Sequence, residues 1–401
     1  MLFLTSLHMQ AKGWNQFRGT TGQGHAVSEN LPVRWNRGLG ISWRSEITGK
    51  AWSSPIEVKN LLVISNARED EDGKGILLEA IALDLLTGSI AWKCVIFRYD
   101  TEIKIHGKNS YASPTPFFDG SKIYFHFGNL GTACLNTRGK VMWKTKIEYS
   151  PVHGSGASPV INDDLLLLSA DGADDPSIVA LDKWSGALKW KARRESNAKK
   201  SFSFCTPLII EDGGRKQIIS PASDYVFSYD MRGNLLWKSH YPGGYSVVPR
   251  PVFANGIVYL SSGYDHPTLY AIRTHGHGDV TRSHLVWKTS KSAPRNSSPI
   301  LVKDCLFFIS DGGILSCLDS QNGEMHWKRR LTGNFSASPL HCNGLLYFCD
   351  EMGKTYVIEA GREYALIAVN DLEEGIMASP MAIGNALYLR TKEAIWKIEK
   401  N

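Results

Sequence analysis

The side chains best suited to chemistry in this chain lie in short segments directly before a recurring Ser-Pro or related dipeptide. They are mainly aromatic, cationic or amide groups, with almost no carboxylates among them. The candidate ligand-binding residues are Trp52, His106, Asn109, His153, Ser155, Arg250, Asn296 and Phe335. Such a set could hold an anionic or sugar-like ligand through charge-assisted hydrogen bonds and aromatic stacking. Equally open is that these groups only solvate a channel and pair with the backbone.

Arg250 is the expected main anchor for a ligand, because a guanidinium group is planar, always charged and suited to carboxylate or phosphate. Trp52 and Phe335 would then form the stacking walls of the site. His275, His277 and His284 share one long loop and could hold a metal. Spacing fixes no fourth ligand, so we expect a solvent-exposed loop and no metal site. No hydrolase motif is present, and no catalytic residue is predicted.

The dipeptide recurs along almost the whole chain. Its marker prolines are Pro55, Pro114, Pro159, Pro207, Pro251, Pro299, Pro339 and Pro380. They define eight units with a mean period of about 46 residues, which is typical of propeller blades built from short strands. The innermost strand of each blade would begin at its marker. The segments just before the markers would therefore meet at the mouth of one central channel, where propellers usually bind ligands.

A second signature follows each marker. In five units a glycine lies four residues before a tryptophan, as in Gly88 and Trp92. This spacing predicts a tight turn with positive φ, followed by a strand whose indole ring fills the wedge between blades. The tryptophans expected between blades are Trp43, Trp92, Trp143, Trp190, Trp237, Trp287 and Trp327.

The two ends of the repeat array complement each other. The last unit is one strand short, and a spare strand at 40–47 precedes the first unit. Pairing these two removes an exposed sheet edge. The sequence therefore predicts an all-β, eight-bladed β-propeller with four-stranded blades, closed by an N-terminal strand that completes the last blade. Residues 40–401 form this single domain, and residues 14–39 form an N-terminal extension.

Composition indicates where in the cell the protein is located and which classes of molecule it binds. The net charge of +6 is spread thinly over 401 residues, so we expect no nucleic-acid binding. No apolar stretch reaches the roughly 18 residues of a transmembrane segment. Residues 1–13 resemble a remnant signal or leader but lack its basic start, which favours a periplasmic or exported protein and leaves the cytoplasm open. The spacing of the seven cysteines gives no basis for assigning a disulfide. We expect a monomer.

The A-x-D-x-x-T-G-x-x-x-W turns, the S-S-P hairpins and the opening W-N-Q-F-R-G at Trp14 resemble the PQQ-like, or quinoprotein-type, β-propeller repeat family. The resemblance covers residues 14–399. The family includes bacterial PQQ-binding-like β-propeller repeat proteins, the outer-membrane assembly lipoprotein propeller and quinoprotein alcohol dehydrogenases. It implies the propeller fold and, through the assembly lipoprotein, a protein partner.

The enzymes of this superfamily resemble one another in a vicinal Cys-Cys disulfide and a calcium ion held by Glu, Asn and Asp. This chain has no Cys-Cys pair and no matching carboxylates before its markers. We therefore expect neither PQQ nor calcium, and a non-catalytic scaffold or binding protein whose partner or ligand is unknown. The alternative is a propeller that binds a ligand or quinone cofactor, or acts as an enzyme, at a cationic and aromatic channel mouth.

Overall fold

Eight antiparallel sheets surround one central channel in a computed structural model that describes residues 13–28 and 30–400. In these residues the only helical element is a 3-10 turn at Gly128–Leu130. The predicted all-β, eight-bladed propeller is confirmed. The interpretation of residues 1–13 as a leader falls, apart from Gly13, outside the described residues.

Strand β1 is Ile41–Glu46, and the remaining strands follow blade by blade. Blades one and two contain β2 (Ile56–Val58), β3 (Leu61–Glu69), β4 (Ile76–Asp84), β5 (Ile90–Tyr99), β6 (Phe117–Phe118), β7 (Lys122–His126), β8 (Thr132–Asn136) and β9 (Val141–Thr145). Blades three and four contain β10 (Val160–Asn162), β11 (Leu165–Ala170), β12 (Ser177–Asp182), β13 (Leu188–Arg193), β14 (Leu208–Asp212), β15 (Arg215–Pro221), β16 (Tyr225–Tyr229) and β17 (Leu235–His240).

Blades five and six contain β18 (Val252–Ala254), β19 (Ile257–Ser261), β20 (Leu269–Arg273), β21 (Gly278–Asp279), β22 (Leu285–Thr289), β23 (Ile300–Val302), β24 (Cys305–Ile309), β25 (Ile314–Asp319) and β26 (Met325–Arg330). Blades seven and eight contain β27 (Leu340–Cys342), β28 (Leu345–Cys349), β29 (Lys354–Glu359), β30 (Leu366–Asp371), β31 (Met381–Ile383), β32 (Ala386–Arg390) and β33 (Ala394–Glu399). The first strand of each blade lines the channel.

The ring closes through blade eight. Its sheet order is β1-β33-β32-β31, with β1 on the outside. Strand β1 runs antiparallel to β33, so that Ile41 faces Ile398 and Arg44 faces Trp396. The prediction that the N-terminal strand completes the last blade is confirmed.

Blade four departs from the four-stranded pattern. The short strand β21 comes from the long loop of blade five and adds to β17 in parallel, pairing Gly278 with Trp237. The loop that could have been a metal site thus works as a cover. It leaves Trp237 with none of its surface exposed.

Tryptophans on the outer strands clasp each blade to the next. The indole N–H donates to a backbone carbonyl in the following blade's turn for six of them. These pairs are Trp43–Leu85, Trp92–Thr137, Trp143–Lys183, Trp190–Met231, Trp287–Ser320 and Trp327–Gly361. Trp237 and Trp327 are buried, and the other five rings are half-buried. The rings therefore lie at the outer margin of the blade interfaces.

Candidate functional site

A ring of hydroxyl groups encircles the channel where the first strands begin. In seven blades a Ser or Thr directly precedes a proline at the start of the first strand, and its hydroxyl accepts the N–H of the equivalent residue in the preceding blade. In six of these blades the proline is the predicted marker, whereas in blade two it is Pro116, so the expected marker Pro114 is corrected by two residues. The residues are Ser54, Thr115, Ser158, Thr206, Ser298, Ser338 and Ser379, joined by bonds of 2.9–3.1 Å. We call this set the hydroxyl ring. It links the blades directly at the axis, including blade eight to blade one.

Residues 13–26 cross the channel on one side of this ring, and we call them the channel plug. First-strand N–H groups donate to its carbonyl oxygens. The pairs are Glu57–Trp14 at 2.7 Å, Phe118–Asn15 at 2.8 Å and His341–Gly24 at 2.8 Å. Each donor lies three residues after the ring position of its blade, or about 10 Å farther along an extended strand. The plug therefore fills the channel below the hydroxyl ring.

Arg250 occupies the eighth ring position and is not a mouth residue. Its guanidinium group donates to the carbonyl oxygens of Phe17 at 2.8 Å and Pro207 at 3.0 Å, and to Oε1 of Gln16 at 3.3 Å. Only 1% of Arg250 is exposed, and burial lowers its pKa to about 10. This corrects the expectation that Arg250 anchors a ligand at the mouth. The long side chain reaches down the channel and holds the plug.

Phe335 is also displaced from its expected role. It has no exposed surface, and its ring lies 5.9 Å from that of Tyr356 within the apolar core between blades six and seven. It cannot form a stacking wall, because the loop turns its ring inward. The expectation for Phe335 is therefore corrected as well.

The other side of the hydroxyl ring opens into a cavity of about 370 Å³, which we call the mouth pocket. This volume falls in the range of about 300–1,000 Å³ that is usual for small-molecule sites. The structure brings five of the predicted residues to its lining, namely Trp52, His106, Asn109, His153 and Asn296. Further lining residues are Phe17, Lys108, Phe204, Tyr245, Tyr264, Asp311, Met377 and the seven members of the hydroxyl ring.

Ser155 supports the pocket from behind. Nδ2 of Asn109 donates to the carbonyl oxygens of His153 at 2.8 Å and Ser155 at 3.1 Å, which ties the loops of blades two and three together. The rings of His106 and His153 lie edge to face, 5.1 Å apart. Burial, and then the neighbouring His106, lower the pKa of His153. His153 is therefore a neutral, aromatic part of the wall at pH 7.

Cations stand over three aromatic rings of the pocket lining. The pairs are Lys50 over Trp52 at 5.6 Å, Lys200 over Tyr245 at 4.0 Å and Arg295 over Tyr264 at 5.0 Å. Such contacts hold exposed rings in place and contribute about 0.5–1 kcal/mol each. They give the rim a fixed aromatic surface with positive charge around it.

Two carboxylates at the mouth are absent from the sequence-based set. Asp311 accepts the N–H of Arg295 at 3.0 Å and both the N–H and Nδ2 of Asn296. Glu351 pairs with Nζ of Lys108 at 2.8 Å. Burial would raise the pKa of Glu351, but Lys108 and Ser336 outweigh it and lower that pKa.

Both acids follow the second strand of their blade, in the motifs S-D-G-G and C-D-E-M-G. That strand runs back toward the mouth, so its turn also faces the pocket. An acidic turn before the third strand was the signal that could have located them.

The pocket does not provide the ligands of a quinone–calcium centre. Among the described residues that line the pocket, Asp311 is the only one with a carboxylate, and three N–H donors already occupy its oxygens. In the described part of the chain, no group of three or more His, Cys, Asp or Glu side chains is placed to bind a metal. None of the helical structure within 13–28 and 30–400 has the length and apolar character to cross a membrane.

A family model described as outer membrane protein assembly factor BamB matches residues 79–329 and 278–373, most of the chain. A curated relative with that name, from Legionella pneumophila (strain Paris), is 21% identical over 242 residues. The match covers 60% of this chain and 50% of the relative, so the chain spans about half the length of the curated relative it matches.

Solved structures show the same fold at low identity. BamB from Moraxella catarrhalis aligns with a TM-score of 0.59 and 16% identity, covering 93% of this chain and 98% of that one. A europium-containing methanol dehydrogenase aligns with a TM-score of 0.57 and 11% identity, covering 96% and 90%. At these identities the structural similarities show only the fold, whereas the family model matches most of the sequence. The chain belongs to the family of the outer membrane protein assembly factor BamB.

Proposed function

We propose that this chain is a non-catalytic scaffold that binds a protein partner through the mouth face of its propeller, outside the cytoplasm. The observation that carries the proposal is the mouth pocket, a preformed concavity at the hub of the ring with aromatic walls. Aromatic side chains in such central positions supply most of the binding energy in protein interfaces. The name of the matched relatives, an assembly factor, supports a partner of the same class.

The rigidity of the ring supports binding without rearrangement. The hydroxyl ring links seven of the eight pairs of neighbouring blades at the axis, and the tryptophan clasps link six of them at the outer margin. Loops carried on such a frame lose little conformational freedom when a partner binds, which favours affinity. The scaffold therefore presents its mouth loops already in place.

The charged groups of the mouth favour binding over catalysis. Asp311 is held by three N–H donors, and Glu351 is paired with Lys108. A general base needs a free carboxylate or imidazole within hydrogen-bond reach of its substrate. Both acids are instead committed to holding the rim loops.

The test compares two tryptophans on opposite faces, the half-buried Trp52 and the exposed Trp184. Trp52 lines the mouth pocket, whereas Trp184 is 55% exposed in the turn between β12 and β13 at the other face. The tagged protein should be expressed in its own organism, cross-linked and purified from the cell envelope. We expect Trp52→Ala combined with Tyr264→Ala to lose the captured envelope protein, and Trp184→Ala to retain it. Retention by the mouth variant, with loss by Trp184→Ala, would place the partner on the other face and refute the proposal.

A further inference from the structure

The floor of the mouth pocket carries hydroxyl protons that have no acceptor within residues 13–28 and 30–400. Six members of the hydroxyl ring accept an N–H but donate to no group among the described residues. They are Ser54, Thr115, Ser158, Thr206, Ser298 and Ser379. Each is at most 6% exposed, and all line the pocket. A hydroxyl group has one proton to donate, so these groups can turn six donors toward a ligand.

Positive charge lies beneath and beside this floor without a balancing acid. Arg18, Arg250 and Arg390 are buried, and in the described residues their guanidinium groups meet carbonyl, hydroxyl or amide oxygens and no carboxylate. Arg18 donates to Pro299 O at 2.8 Å, and Arg390 donates to Ser65 O at 2.8 Å. Burial, and then the charge of Arg250, lower the pKa of Arg18 to about 9. An anion at the hydroxyl ring would relieve this repulsion.

The charges at the rim of the pocket do not neutralise the positive charge of the buried arginines. Lys108 neutralises Glu351, and Asp311 is bound by the N–H groups of Arg295 and Asn296. Lys50 and Arg295 add positive charge around the aromatic rings, whereas Lys200 lies 3.6 Å from the carboxylate of Asp265. The pocket therefore favours a negative group at its floor over a positive one.

The mouth pocket is closed at its lower end. Phe17 of the channel plug forms part of its lining, and the plug bonds to the first strands below it. An extended chain cannot pass through the ring, whereas the end of a chain can enter the pocket. Trp52, Phe204 and Tyr245 offer flat apolar surfaces above the floor, as a large apolar or aromatic side chain requires.

We propose that the mouth pocket receives the carboxyl-terminal residue of a protein partner, with its carboxylate on the hydroxyl ring and an apolar or aromatic side chain against the walls. The inference rests on the proposed function and names the part of the partner that the mouth recognises. Capture of a chain's terminal carboxylate by converging donors is a known mode of peptide recognition. An amino-terminal ammonium group would be repelled by the buried guanidinium groups.

Synthetic peptides test this directly. The probe is a hexapeptide, Gly-Ser-Gly-Ser-Gly-Phe, labelled with fluorescein at its amino end and measured by fluorescence anisotropy with the full chain. We expect the free acid to bind at least tenfold more tightly than the carboxamide of the same sequence. Equal binding of the two forms would overturn the inference. So would equal or tighter binding of 3-phenylpropionate as a competitor, since the pocket would then serve a small organic acid.

A matched pair of variants assigns the effect to the ring. Thr206→Val removes a hydroxyl and keeps the shape, whereas Thr206→Ser keeps the hydroxyl. We expect Thr206→Val to reduce the ratio of acid to amide affinity at least threefold and Thr206→Ser to preserve it. An unchanged ratio in Thr206→Val contradicts a role for the ring. If Thr206→Val does not fold, Ser379→Ala, with Ser379→Thr as its control, measures the same ratio.

The outcomes separate this inference from the proposed function. Partner capture that depends on Trp52 and Tyr264, combined with no preference for the free acid, would refute the terminal carboxylate and leave the scaffold standing. A strong preference for the free acid, combined with partner capture that ignores the mouth, would refute the scaffold proposal and leave the carboxylate site.

Discussion

Glycine, whose side chain is a single hydrogen atom, lets neighbouring blades approach each other. Gly139 lies in the turn of blade two with φ of +81°, directly against the indole ring of Trp92 in blade one. A Cβ atom there would lie 2.7 Å from Cε3 of Trp92. The same arrangement recurs at Gly88, Gly186 and Gly233. Glycine at this station thus serves the blade interface as well as the turn.

Replacing Gly139 by alanine should therefore cost more than backbone strain. Gly120 is the matched control, since its φ is +92° and a Cβ there would meet nothing within 4 Å. We expect Gly120→Ala to lower the free energy of unfolding by about 1–2 kcal/mol, the cost of the left-handed conformation. Gly139→Ala should lose about 1–3 kcal/mol more, because the ring must move. Denaturant unfolding measures both, and equal losses would disprove the clasp.

Arg250 yields a second prediction at the same scale. Arg250→Ala removes the donors that hold Phe17 and Pro207 and leaves their buried carbonyl groups unpaired. Leaving a buried acceptor unsatisfied costs about 1–3 kcal/mol, so the melting temperature should fall clearly. Limited proteolysis should then cut within the channel plug. An unchanged melting temperature together with an uncut plug would contradict this role and would support the original expectation that Arg250 acts at the mouth.

Among the elements, the channel plug behaves as an added partner for the innermost strands. It supplies acceptors to first strands in blades one, two, five and seven, through the N–H groups of Glu57, Phe118, Phe253 and His341. These donors would otherwise face an open channel. The plug thus converts the channel into a closed pocket with a solid base.

Deleting residues 1–26 should expose these donors selectively. Hydrogen exchange should become faster in β2, β6, β18 and β27, whose N–H groups lose their acceptors. Strands β10 and β14 are the internal control, because among the described residues no hydrogen bond joins them to the plug. A uniform increase across all blades would mean that the plug stabilises the ring as a whole and not these strands.

The sequence repeats made the blades predictable, whereas the path of the N-terminal extension could not be predicted. The marker prolines located every first strand, because the strand begins one residue later in seven blades, as at Ile56 and Val252, and three residues later in blade two, at Phe117. The chemistry of the mouth was only partly predictable. Trp52 and His153 line it, whereas Arg250 turns into the channel, because a marker position fixes the backbone and not the direction of a long side chain. Residues 13–26 have no periodicity, so nothing in them indicated the channel.

At the scale of the whole molecule, buried histidines make the propeller sensitive to acid. His341 accepts the N–H of Gly344 at Nε2, so its Nδ1 carries the proton and donates to Nδ1 of His25 at 3.0 Å. Burial lowers the pKa of both to about 4, and that of His126 to about 3. All three rings are therefore neutral in the folded protein near pH 7.

Stability should accordingly decrease on acidification. In the unfolded chain these histidines take up protons near pH 6.5, whereas in the folded chain His25 and His341 do so only near pH 4 and His126 only near pH 3. Through these histidines the free energy of unfolding should be unchanged near pH 7 and should fall as the pH decreases from 6.5 through 4, by at most about 3 kcal/mol for each of His25 and His341. Thermal melts across this range measure the effect. His341→Gln should flatten the profile, and an equally steep profile in that variant would contradict the assignment.

Closure of blade eight also determines when the protein can finish folding. Strand β1 near the start of the sequence pairs with β33 near its end, so the ring stays open until the last strand has been made. Contacts between such distant residues form slowly, because a long loop must close first. Until then the apolar faces of the terminal blades lack their neighbours and are open to aggregation. A chain that emerges gradually from a ribosome or a translocon would thus depend on chaperones until its final strand arrives.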